Sequence, residues 1–172
     1  NSVPFDWWES RAIGDGLKLA FVPTQHFSGR GFLDQDATLW GSFLVQSGAV
    51  SAYFAGDSGY STHFRAVKQR YGAVDLAILP IGAYEPRWFM GAYHMAPDEA
   101  VQAHIDLGAK QSIGIHFGTF RISDEACDAP LRVLRDSLAS RGLAPNSFVG
   151  LDFGAALDYV PSATSELLRA GE

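Results

Sequence analysis

The chain has 172 residues, enough for one domain with a real core, and its 47% hydrophobic and 19% charged residues strike the ordinary globular balance. A formal net charge of −6 gives a nucleic-acid partner no electrostatic support. The single cysteine, Cys127, excludes an intrachain disulfide and fits a reducing compartment, and no apolar run reaches the roughly 20 residues that a membrane span needs.

The opening residues, Asn1-Ser2-Val3-Pro4-Phe5, carry no initiator Met, basic region or secretory apolar core, and they read as an internal segment of something longer. With no signal or membrane span in view, the expected location is cytoplasmic or peripheral to a membrane. No repeat or linker interrupts the chain, so residues 1–172 read as one unit.

Residues 17–23 read as a buried strand that ends at the loop Thr24-Gln25-His26. Residues 38–46 and 50–55 are β-rich and flank Ser47-Gly48-Ala49, a hairpin signal. Gly56-Asp57-Ser58-Gly59 follows as a tight turn. The apolar positions Phe64, Val67 and Tyr71 share one face of a helix over 61–71, stopped by Gly72. Residues 75–80 are a continuous apolar run, the pattern of a strand buried on both faces.

A long aromatic loop covers 81–95, and Pro97, Asp98 and Glu99 then open a helix that stops at Gly108, with proline in the first turn and acids near its positive end. A strand over 112–117 carries His116, and a helix spans about 130–140. Short strands are expected at 148–151 and 156–160, with a last helix at 162–169. Strands alternate with helices, which predicts a layered α/β unit.

Three metal-capable side chains share one kind of placement. His26, Asp57 and His116 each stand at the C-terminal end of a predicted strand, beside a turn. Those ends line one rim in layered α/β folds, where sites are built. Imidazole and carboxylate are ligands that zinc accepts. Taken singly, each residue has a plainer reading: a histidine bonded in the core or at the surface, or an aspartate that caps its own turn.

Several blocks resemble the family of phospholipases D that hydrolyse N-acyl-phosphatidylethanolamines. They are Asp6-Trp7-Trp8-Glu9, Pro23-Thr24-Gln25-His26, Leu39-Trp40-Gly41-Ser42 and Phe54-Ala55-Gly56-Asp57-Ser58-Gly59-Tyr60, in that order. The stretch from Asp75 through Gly82-Ala83-Tyr84-Glu85-Pro86-Arg87-Trp88-Phe89-Met90 continues the series, and Ile115-His116-Phe117-Gly118-Thr119-Phe120 closes it. The resemblance covers the chain to about Phe120 and is looser beyond. Phe117, where the family carries Trp, and Tyr93 are small departures.

That family lies in the metallo-β-lactamase superfamily, so the resemblance implies an αββα sandwich with two zinc ions at its rim. It implies that His26 is a ligand of the first ion, Asp57 the bridging carboxylate and His116 a ligand of the second. The family's other ligands come from an upstream His-x-His-x-Asp-His motif. No such motif is present among the five histidines here, His26, His63, His94, His104 and His116. Two ions about 4 Å apart need more donors than three residues supply. The expectation is therefore half of the sandwich: a mixed sheet with helices on one face, a partial metal site, and an N-terminal half absent from this chain. The uncovered sheet face then calls for that missing half or a homodimer partner.

His94, at the end of the aromatic loop, matches a family histidine with a role near the substrate or the attacking water; it reads equally well as a loop histidine bonded to backbone. His104 reads as a core histidine and His63 as structural. Arg87 could pair a phosphate or a nearby acid. Trp88 and Tyr93 could line a lipid groove, or pack as a lid. The resemblance implies hydrolysis of an N-acyl-phosphatidylethanolamine-like phosphodiester by metal-activated hydroxide, with Asp57 and His94 in the chemistry. Two alternatives stand beside it: a lactonase or sugar-phosphate hydrolase on the same fold, and a non-catalytic dimerising module with a vestigial half-site.

Overall fold

The computed structural model describes residues 2–48 and 50–159. Strands β1 (Ser10–Ala12), β2 (Leu17–Val22), β3 (Ser42–Ser47) and β4 (Val50–Phe54) form an antiparallel meander. From β4 onward the chain changes to parallel βαβ units. Helix α1 (His63–Tyr71) leads to β5 (Leu76–Pro80). The single-turn α2 (Arg87–Met90) and α3 (Pro97–Leu107) lead to β6 (Gln111–Ile115), and α4 (Ala129–Ser140) leads to β7 (Phe148–Gly150).

The seven strands lie in the sheet in chain order. Right-handed crossovers that always step in one direction put their helices on one face of the sheet, and α3 packs between α1 and α4 there. Strand pleating decides which side chains those helices cover. Val22, Leu44, Tyr53, Ala77 and Leu79 face them and are fully buried, together with Phe64 and Val67 of α1 and Val101 and Leu107 of α3. Polar atoms in this core are paired: the Tyr53 hydroxyl donates to Ser42 Oγ at 2.9 Å, and Ser42 donates to the Ala55 carbonyl at 2.7 Å.

The opposite face carries a different row. Register places Phe21 beside Phe43, Phe43 beside Phe54, Phe54 beside Ile78, Ile78 beside Ile113, and Ile113 beside Val149. Phe43 and Phe54 remain 37% and 45% exposed. An apolar ribbon thus crosses the sheet, and no helix covers it among the described residues. This is the expected mixed sheet with helices on one face.

Several expectations shift in detail. The strand expected from residue 38 starts at Ser42, because residues before it are drawn across the sheet's end: the Trp40 indole donates to the Thr24 carbonyl at 3.1 Å. β1 was not anticipated; Trp8 starts it by donating to the Phe21 carbonyl at 2.7 Å. The aromatic loop contains one helical turn, α2. β6 stops at Ile115, since His116 turns to a left-handed φ of 62°. Residues 156–159 form no strand, and the helix expected at 162–169 falls outside the described residues.

His63 and His104 are the structural histidines that the helix faces predicted. His104 Nδ1 lies 2.8 Å from Ser112 Oγ, and His63 Nδ1 lies 2.7 Å from Ser61 Oγ. Burial pushes the His63 imidazole down to about 4. Between pH 6.5 and about 4 the unfolded chain therefore binds a proton at this site that the folded chain refuses. Stability from this group is complete above pH 6.5 and falls with falling pH, by at most about 1.4 kcal/mol per pH unit. Thermal melts at pH 7 and pH 5 should show a steeper acid loss in the wild type than in His63→Gln; parallel losses would remove His63 as the cause.

Candidate metal centre

Four metal-capable side chains arrive at one rim from four different segments. His26 follows β2, Asp57 follows β4, His116 follows β6, and His94 ends the aromatic loop before α3. One ligand atom each from His26, Asp57 and His94 lie within 4.8 Å of one another. His116 Nε2 is 3.4 Å from Asp57 Oδ1. The His94 ring centroid lies 5.4 Å from that of His26 and 5.2 Å from that of His116. The three residues expected at the rim do converge, and His94 joins them.

A buried serine ties three of these segments together. The Ser58 hydroxyl donates to the Gly59 carbonyl at 2.7 Å and accepts the Gln25 amide at 3.3 Å. The Ser58 carbonyl accepts the Met95 amide at 2.9 Å, and the Gly59 amide donates back to Gln25 at 2.8 Å. Gln25, Ser58 and Met95 are the chain neighbours of His26, Asp57 and His94. A side chain on Gly59 would meet the Ala92 carbonyl oxygen at 2.6 Å, so the aromatic loop can close onto this turn only over a glycine. Sequence reasoning saw the turn and missed the knot, because its partners lie 33 or more residues apart.

His116 is set by a second contact. The Ile81 amide donates to the Ile115 carbonyl at 3.0 Å, which brings Gly82 flat against the His116 peptide. Ala83 and His116 both adopt left-handed backbone, with φ of 59° and 62°. Such angles cost non-glycine residues about 1–3 kcal/mol and persist only where the surroundings enforce them. Glu125, which sequence reasoning did not single out, enforces Ala83: its carboxylate accepts the Ala83 amide at 2.6 Å and the Glu85 amide at 3.1 Å.

The electrostatics match a cation site. The His116 hydrogen bond holds the Asp57 carboxyl below its usual range, and the same bond raises the His116 imidazole. Burial lowers His94. Nδ1 of His94 and Nδ1 of His116 are both buried without a hydrogen-bond partner among the described residues. A buried polar atom left unpaired costs about 1–3 kcal/mol, and a ligand that supplied the partner would relieve it. The His26 and His116 imidazoles and the Asp57 carboxylate are donors of the kind zinc takes, and the His94 imidazole stands beside them. The residues present fit such an ion.

The three residues expected to meet substrate are placed differently from one another. Tyr93 stands at the cluster, its ring 5.1 Å from Phe27 and 5.9 Å from His26. Trp88 points into solvent, 87% exposed, with its ring beside Phe89. Arg87 is engaged within its own loop: its guanidinium meets Glu99 at 2.7 Å and the Tyr84 and His94 carbonyls at 3.2 and 3.0 Å. The alternative reading of Arg87, a nearby acid, is the one observed. Beside His116 opens a cavity of about 290 Å³ with walls from Phe117, Phe120, Ile122, Glu125 and Cys127.

Gly82 offers a direct check of this geometry. A Cβ there would meet the His116 carbonyl oxygen at 2.1 Å, which backbone cannot accommodate without moving. Gly82→Ala should cost about 1–3 kcal/mol in chemical denaturation and change the His116 imidazole resonances; unchanged stability and spectra would contradict the contact.

A β-lactamase superfamily domain matches residues 1–117. The chain is 38% identical over 155 residues to the N-acyl-phosphatidylethanolamine-hydrolyzing phospholipase D 1 of Caenorhabditis elegans, covering 87% of this chain and 44% of that protein. It is 36% identical over 131 residues to the mitochondrial enzyme of the same description from Saccharomyces cerevisiae, covering 73% of this chain and 28% of the relative. The chain thus spans less than half the length of either. Among solved structures, the metallo hydrolase Igni18 of Ignicoccus hospitalis superposes with a TM-score of 0.68 at 20% identity, over 90% of this chain and 59% of that one. The motif resemblance and the half-sandwich fold are both borne out, and this chain belongs to the β-lactamase superfamily.

Proposed function

We propose that this chain contributes one side of a metal-dependent hydrolase site that acts on a phosphodiester, with N-acyl-phosphatidylethanolamine-like lipids as the substrate class. The observation that carries this reading is the meeting of His26, Asp57, His94 and His116 at one rim. The activity for which the Caenorhabditis elegans and Saccharomyces cerevisiae relatives are named supports the choice of substrate. The solvent-facing Trp88 and Phe89 add an apolar surface on the same loop that carries His94.

In this reading His26, Asp57 and His116 would hold the zinc. The ions, when bound, supply positive charge for the phosphoryl oxygens and lower the pKa of water. Asp57 is suited to its part because its carboxyl stays ionised well into acid. His94 is carried on the aromatic loop rather than at a strand end, and burial favours its neutral form. In this reading it would hydrogen-bond the substrate or the attacking water. The remaining metal ligands come from outside these 172 residues, on polypeptide that also covers the apolar row from Phe21 to Val149. A dimerising module with a vestigial half-site is the second reading, favoured by that same uncovered row.

The test is hydrolysis of N-acyl-phosphatidylethanolamine in mixed micelles by the full-length protein, with zinc measured by elemental analysis. Asp57→Asn should lose turnover by at least about 100-fold, the scale on which removal of a preorganised charged group acts, and should lower bound zinc. Unchanged activity in that variant would remove Asp57 from the site. The isolated 172-residue chain should bind zinc weakly and hydrolyse nothing; near-stoichiometric zinc with phosphodiesterase activity in that chain would overturn the divided site.

A further inference from the structure

The guanidinium of Arg87 closes the aromatic loop at its neck. One nitrogen, Nη1, donates to the Tyr84 carbonyl at 3.2 Å and to the His94 carbonyl at 3.0 Å, joining the two ends of the segment that carries Trp88, Phe89 and Tyr93. The other, Nη2, is held by Glu99 Oε2 at 2.7 Å. That same carboxylate oxygen accepts the Ala96 amide at 2.9 Å, which caps the start of α3. The Arg87 amide in turn donates to Glu85 at 2.9 Å. Gly91 lies directly over the guanidinium, where an added Cβ would come within 3.1 Å of Nη2.

We propose that Arg87, steadied by Glu99, is a positioning residue that sets the backbone of His94 and so aims the His94 ring at Asp57 and His26. The inference rests on the reading of this rim as a hydrolase site. His94 is not fixed through its own imidazole, whose Nδ1 has no partner among the described residues. Its placement therefore depends on its peptide. The His94 amide is held within the loop, by the Met90 carbonyl at 2.8 Å, and the next amide, Met95, by Ser58 at 2.9 Å. The His94 carbonyl is held by Arg87. A planar fork reaches two carbonyls and a carboxylate at once, which a lysine ammonium on a flexible stem does not reproduce. Among the described residues the Arg87 guanidinium bonds the Tyr84 and His94 carbonyls and Glu99 and none of the four rim side chains, and in the proposed site His94 serves substrate or water, so its effect is on aim and not on metal binding.

The experiment uses the full-length protein with isotope-labelled histidine, comparing wild type with Arg87→Gln, Arg87→Lys and Glu99→Gln. Arg65→Gln, which breaks the Arg65–Asp106 ion pair between α1 and α3 instead, is the control for general loosening. Both Arg87 variants should shift or broaden the His94 imidazole resonances and lower kcat on the phosphodiester by about 10–100-fold, the size that a small misplacement costs, with zinc content at the wild-type level. Glu99→Gln should show the same pattern more weakly, and it carries the test if Arg87→Gln does not fold. Unmoved His94 resonances in the Arg87 variants overturn the proposal; so does full rescue by lysine, equal changes in Arg65→Gln, or loss of zinc in Arg87→Gln. A wild type without zinc or hydrolysis sinks the hydrolase reading instead, and the resonances still decide whether Arg87 sets His94.

Discussion

Ser58 has no exposed surface, yet the geometry of the rim depends on it. Loops at strand ends do not stay together without a reason, since each would otherwise keep the entropy of an independent segment. Here one residue offers a hydroxyl and a carbonyl to two other loops, while its neighbour Gly59 is small enough to let one of them, the aromatic loop, press close. Three metal-capable side chains are each one residue away from this knot. His63 backs it from α1, with Nε2 3.4 Å from the Ser58 hydroxyl. The core thereby reaches the rim through a chain of buried polar contacts. Such networks specify one arrangement when every member is satisfied.

The rim and the apolar ribbon describe the same division from two sides. Helices α1, α3 and α4 cover one face of the sheet, where side chains are fully buried, and the row from Phe21 to Val149 on the other face is only partly covered. The donor set is likewise enough to grip a cation jointly and short of what a pair of ions requires. A surface that covered the ribbon and carried further donors would settle both deficits together.

Much of the fold was readable because it is written in local pattern. The apolar runs behind β2 and β5, the hairpin between β3 and β4, and the helices stopped at Gly72 and Gly108 all depend on residues close in sequence. His26, Asp57 and His116 were readable from strand-end placement, with motif resemblance to assign them a common task. His94 could be raised only by resemblance, because nothing in a loop's composition says which way its last residue faces. The Ser58 knot, the Glu125 clamp and the grip of Arg87 on Glu99 were not readable. Each joins segments far apart in the chain, and an acid or a hydroxyl looks the same in sequence whether it meets water or a distant amide. For Trp88 the sequence left a lipid groove and a packed lid open, and only the fold shows that its ring stands in solvent.

The strands occupy the sheet in the order in which they occur along the chain. Each new strand therefore finds its partner on the edge formed just before it, and no strand has to be inserted between two already paired. Loop closure grows costlier with the length of chain enclosed, so this arrangement keeps the sheet pairings within one short or helix-bearing connection, apart from the helix-free loop over residues 23–41 that joins β2 to β3 and carries His26. A sheet ordered this way can grow at one edge, strand by strand, without opening a pairing already made.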